Sequence, residues 1–206
     1  MHPHVRMHAR SCLTGFVPQY AGPKHRRKPR LEPTLAMLRY LFPGLTADAD
    51  RGAELFRAVT AEARAHRWYL DGGVADTLDG RFAMLATVTA LALVRLEREG
   101  DAGQALAVGL TERFVEVMES EHRELGLGDP TLGRTVLKLV GSLSRRTDAW
   151  REAVVTGDWA KTARDSLYPG TAPLQGCVTH AAEQLQALWS RLQATPLEAM
   201  AEGRLG

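Results

Sequence analysis

The stretch Asp76-Thr77-Leu78-Asp79-Gly80-Arg81-Phe82-Ala83-Met84-Leu85-Ala86-Thr87-Val88-Thr89-Ala90-Leu91-Ala92-Leu93-Val94-Arg95-Leu96-Glu97-Arg98 carries the clearest periodicity in the chain. Leu78, Phe82, Leu85, Thr89, Ala92 and Leu96 recur at steps of four and three, which puts them on one stripe of a helix. So narrow a stripe predicts a seam packed against a neighbouring helix. Asp76 is the expected N-cap. Asp79 would set its carboxylate against the exposed N–H groups and the positive end of the helix dipole. The helix is predicted to run to about Arg98 and to stop at Gly100.

Downstream, Asp101 is expected to cap a helix whose face is Leu106, Leu110, Phe114, Val117 and Met118. That helix meets a joint at 119–138. Gly126 supplies a residue that takes positive φ at little cost, Asp129 is a good N-cap, and Pro130 suits the first helical position. Acids before the joint (Glu119, Glu121, Glu124) and bases after it (Arg134, Lys138) are expected to pair across the corner. From 130 to about 155, Leu132, Val136, Leu139, Leu143, Trp150 and Val154 should face inward. Arg134, Lys138 and Arg145 share another stripe of this helix, with Arg146 and Arg151 nearby, and should face solvent or the preceding acidic helix end.

Asp158 then caps a shorter helix to Leu167, broken at Tyr168-Pro169-Gly170. A further helix over about 174–192 carries Val178, Ala181, Leu185, Leu188 and Leu192 on one side. Thr195-Pro196-Leu197-Glu198 has the spacing of a capping box. Upstream, a helix over about 48–66 presents Leu55, Val59 and Glu62 and leads to a turn at Asp71-Gly72-Gly73. Before it, Leu35, Leu38, Leu41, Phe42 and Leu45 form an apolar stretch suited to capping the core or, as the second reading, to lying in a membrane interface. No segment alternates with period two. The expected fold is all-α, an antiparallel bundle of about seven helices with short connections.

The chain has 206 residues, enough for one domain with a full core, and a formal charge of +2. That balance conceals an asymmetry. Residues 1–30 hold seven Lys/Arg and no acid, whereas the rest is mildly acidic. The body therefore lacks the basic surface of a DNA-binding protein. We expect residues 1–36 to form a basic, proline-interrupted tail and 37–206 a single helical domain. The tail lacks the apolar run of a secretory signal. Val5, Ala9, Cys12 and Phe16 on one helical face admit a mitochondrial presequence, and Met37 is an alternative start. Two cysteines make neither a disulfide framework nor a metal cage and favour a reducing compartment.

Glu119-x-x-His122 has the spacing of a carboxylate–histidine metal helix, but no second copy accompanies it. Gly126-x-Gly128 follows a helix, where a dinucleotide loop must follow a strand. No nucleophile elbow or phosphate loop occurs in the sequence. The residues thus predict no catalytic group, no cofactor and no metal.

Asp76-Thr77-Leu78-Asp79-Gly80-Arg81-Phe82 resembles one signature of the ubiquinol–cytochrome c chaperone family, the assembly factors of respiratory complex III. Met118-Glu119, Arg123-Glu124-Leu125-Gly126-Leu127-Gly128-Asp129, Gly133-Arg134 and Lys138 resemble a second. This chain departs from the family pattern at Glu119, where Asp is typical. It departs again at Leu143-Ser144, where bulkier aromatic residues are usual, and at Arg145, where glycine is. The resemblance implies a non-enzymatic chaperone of bacterial type. Such a protein would bind newly made cytochrome b, or another complex III component, and assist assembly of the ubiquinol–cytochrome c reductase. It also implies a cytoplasmic location with peripheral contact at the inner membrane, or a mitochondrial one if the protein is eukaryotic. Mitochondrial members act near the ribosomal exit, so the ribosome is a further implied partner; DNA is not. By the same analogy the partner surface would comprise Asp76, Asp79, Arg81, Phe82, Glu119, Arg123, Glu124, Asp129, Arg134 and Lys138. The alternative is a generic helical adaptor or regulator of a soluble partner, with a polar interface and no large apolar patch.

Overall fold

Among the described residues, eight α-helices and one 3-10 turn make up the regular structure, and no strand occurs. The structure, a computed structural model, describes residues 51–124 and 129–206, with side chains for all of these except 121–136. The basic tail, the apolar stretch at 35–45, the expected helix start at Asp48, and Gly126 and Gly128 of the joint lie outside the described residues. In chain order the helices are α1 (Ala53–Ala63), α2 (His66–Tyr69), α3 (Leu78–Leu96), the 3-10 turn (Glu97–Glu99), α4 (Gly100–Glu124), α5 (Asp129–Thr156), α6 (Trp159–Leu167), α7 (Gln175–Ala194) and α8 (Leu197–Ala201). The all-α class is as expected, with α2 and α8 no more than single turns.

α3 is the axis of the fold. It packs on α1, α4, α5, α6 and α7, and residues 83–92 are buried without interruption. The expected narrow seam is therefore corrected: α3 is covered all round, as a helix apolar on every side must be. Alanines at 83, 86, 90 and 92 allow the close approach of its neighbours. Leu78, assigned to the seam, is 53% exposed.

Helix starts show where side chains compete for one position. Thr77, not Asp76, caps α3: its hydroxyl accepts from the Gly80 N–H at 3.3 Å. Asp76 stands one residue too early and pairs instead with Arg81. Gly80 is required by the entering chain, since a Cβ there would lie 1.9 Å from the Ala75 carbonyl oxygen. Asp101 lies inside the first turn of α4, because Gly100 at φ 60 already turns the chain into that helix. Asp158 occupies the cap position of α6 without a side-chain bond; its own N–H donates to the Thr156 hydroxyl at 3.3 Å. The capping box at 195–198 does not form, because the Thr195 hydroxyl donates back to the Arg191 carbonyl at 2.8 Å.

The helix expected over 48–66 is broken by extended Ala65. The break seats Trp68 in the core, fully buried, with its indole N–H donating to the Glu62 carbonyl at 2.8 Å. Glu62 in turn pairs with Arg67 and, at 3.2 Å, with Arg191 of α7. The inward faces of α4 and α7 are as expected. Leu106, Leu110, Phe114 and Met118 are buried on α4, and Val178, Ala181, Leu185, Leu188 and Leu192 on α7. On α5, Leu139, Leu143 and Trp150 are buried, with Trp150 against Trp159 at 5.6 Å between ring centroids.

Candidate functional site

Phe82 opens the second turn of α3, where the helix leaves the cover of its neighbours, and its half-buried ring packs against Phe114 of α4 at 6.0 Å. Beside it opens a groove of about 320 Å³. Phe56, Thr60 and Ala63 of α1 form one wall, and Tyr69 stands at its end. Leu78, Arg81 and Phe82 of α3 face Val117 and Met118 of α4 across the rest. The lining is predominantly apolar, and Leu78 stands at the rim with half its surface in water.

Two polar side chains at the groove, Arg81 and Tyr69, are engaged, whereas the buried Thr60 hydroxyl has no hydrogen-bond partner among the described residues. Arg81 Nε donates to Asp76 Oδ1 at 2.6 Å, and this bond holds the Asp76 carboxyl below the usual carboxylate range. Tyr69 donates its hydroxyl to the Ala63 carbonyl at 2.8 Å; burial raises its pKa above the ordinary phenol value. The groove is thus an apolar slot whose lip carries the Arg81–Asp76 ion pair and Arg64. It can bury hydrophobic side chains of another chain while its charges keep contact with water.

Asp76, Arg81 and Phe82 gather at this mouth, and Asp79 lies in the exposed first turn of α3. Glu119 follows Met118 on α4 and is buried, whereas Lys138 on α5 is exposed. By backbone position Arg123 and Glu124 end α4, Asp129 opens α5 and Arg134 follows in its second turn. The side chains of these four lie outside the described residues, as does the expected charge pairing across the corner. The wall from α1 and α2 has no counterpart among the candidates. Phe56 and Thr60 lie one position round from buried Leu55 and Val59, so the face read from sequence stops just short of them. Arg151, expected near the basic stripe, pairs with Glu97 and Asp148, both at 2.6 Å.

Among the described residues no cluster of three or more His, Cys, Asp or Glu could hold a metal ion. No described helix is long and apolar enough to cross a membrane. An all-helical domain with an open apolar slot at its surface has the form of a protein that holds another chain. Residues 70–205 match the family described as ubiquinol-cytochrome C chaperone, and the chain belongs to that family. Both signatures, at 76–82 and 118–138, fall inside the matched span. Among solved structures it is similar to one described as the crystal structure of the Cbp3 homolog from Brucella abortus. That likeness has 27% sequence identity and a TM-score of 0.65, and covers 82% of this chain and 93% of the other. No curated protein sequence matches this chain.

Proposed function

We propose that this protein is a non-enzymatic assembly chaperone that holds an apolar segment of newly made cytochrome b in the groove beside Phe82, on the way to the ubiquinol–cytochrome c reductase. One observation carries the reading. The groove brings Leu78, Arg81 and Phe82 of the first signature against Met118 of the second, two stretches far apart in sequence. A membrane client leaving the ribosome exposes apolar helices that aggregate in water, and a slot of this size and composition takes apolar side chains from one of them. The charged corner between α4 and α5 is then the surface for a second partner, another complex III component or the ribosome. On this reading the protein works in the cytoplasm, peripheral to the inner membrane into which its client inserts. The working unit is the domain over 37–206.

The test is genetic and biochemical together. Deletion should lower cytochrome b and complex III activity, and the native protein should co-purify with cytochrome b. Leu78→Ser and Phe82→Ser should each weaken that capture. Unchanged cytochrome b levels after deletion would overturn the reading.

A further inference from the structure

On the other side of Phe82 a second crevice, of about 270 Å³, opens between α5 and α6. Its character is opposite to that of the groove. Ser142, Arg145 and Arg146 line it from α5, and Lys161, Asp165 and Ser166 from α6. Arg146 is the group that calls for explanation. Its guanidinium sits 5.6 Å over the Phe82 ring, donates from Nη1 to the Ser142 hydroxyl, and reaches the Ser166 carbonyl from Nη2 at 3.4 Å. Its Nε is buried with no hydrogen-bond partner.

Among the described residues no carboxylate pairs with Arg146. Burial, and after it the like charge of Arg145, lowers its pKa below the ordinary arginine value. The acids of the crevice do not neutralise it: Asp165 stands 3.9 Å from Lys161, while Glu152 and Asp158 are exposed to water. A cation drawn out of water without a counter-ion is costly, and breaking rules of this kind marks sites that a ligand completes. A guanidinium fork beside a second arginine and a serine hydroxyl matches the oxygens of a tetrahedral oxyanion.

We propose that the α5–α6 crevice binds a phosphate group, with Arg146 and Arg145 on its oxygens and the Ser142 hydroxyl donating to a third. The phosphate comes either free from solution or on a phospholipid headgroup. The proposal is independent of the client groove.

Calorimetric titration of the full chain with sodium phosphate, against sodium chloride at matched ionic strength, tests the first source. Sedimentation with phosphatidylcholine vesicles, with and without phosphatidylglycerol, tests the second. Arg145→Gln removes an exposed side chain and should leave the fold intact while weakening binding about tenfold, the usual worth of one charge-assisted hydrogen bond. Arg146→Gln should abolish binding, with circular dichroism to confirm that the helices persist. Phosphate binding without phosphatidylglycerol-dependent sedimentation assigns free phosphate. Sedimentation that requires phosphatidylglycerol, is weakened in Arg145→Gln and is lost in Arg146→Gln assigns the headgroup. Absence of both kinds of binding, or binding of unchanged strength in Arg145→Gln, overturns the proposal.

Discussion

The two ends of α3 are treated in opposite ways. At its C-terminal end Arg95 is 7% exposed, and its Nε donates to the Leu192 carbonyl at 2.9 Å. Nη2 of the same side chain donates to the Thr195 carbonyl at 3.2 Å, and Nη1 to Glu99. One buried side chain thus fastens α3 to the end of α7. At the N-terminal end Leu78 projects into water, Phe82 is half-buried, and the ion pair of Arg81 with Asp76 lies at the surface. The closed end secures the fold, and the open end leaves apolar surface available. One helix thereby positions the groove at one end while it secures the domain at the other.

Removing the fastening should have the largest effect. Arg95→Met leaves two carbonyls and a carboxylate without their donor and should cost about 3 kcal/mol, read from urea denaturation. Gly80→Ala tests whether the open end is open in its side chains only. The clash with the Ala75 backbone should cost about 2 kcal/mol, and a neutral result would mean that this end of α3 is loose.

Tyr168 tethers the approach to the open end from outside, donating its hydroxyl to the Gly72 carbonyl. Tyr168→Phe should cost about 1 kcal/mol at neutral pH. Burial pushes the Tyr168 phenol up to about 12, whereas in the unfolded chain it titrates near 10. Between those values the unfolded state gives up a proton that the folded state keeps. The contribution is therefore complete below about pH 10 and is lost as pH rises towards 12. Denaturation midpoints of Tyr168→Phe should show less of this alkaline decline than those of the parent. The smallest stability effect is expected at the open end itself: Leu78→Ser should stay within about 0.5 kcal/mol of the parent while client capture falls. A stability loss as large as that of Arg95→Met would abolish the distinction between the two ends.

The core was legible in the sequence because its signal is local. Leu106, Leu110 and Phe114, or Val178, Leu185 and Leu192, repeat at helical spacing and are buried as that spacing requires. The fastening of Arg95 was not legible. Its acceptors are main-chain carbonyls, which carry no residue signature, and they lie 97 and 100 positions away. The surroundings of α3 were misjudged for a related reason: a stripe count registers the strongest face and misses neighbours that pack on alanines. At the start of α3 one residue of register separates the expected cap, Asp76, from the residue that caps the helix, Thr77. Of the candidate site, Phe82 and Met118 were marked through their signatures, whereas the α1 wall and Tyr69 enter by tertiary placement. Arg146 was expected near the basic stripe, facing solvent or the preceding acidic helix end, yet it packs on Phe82, since the interface of α5 with α3 and α6 extends beyond its apolar positions.

The remote acceptors of Arg95 also set an order of events during synthesis. A ribosome delivers α3 long before it delivers Leu192 and Thr195. Until those carbonyls emerge, the closed end of α3 carries a charge with two of its three acceptors missing. This fastening of the central helix therefore forms only late in synthesis, once the end of α7 has emerged. A protein whose proposed task is to receive an unfinished chain is thus itself unfinished for most of its own translation.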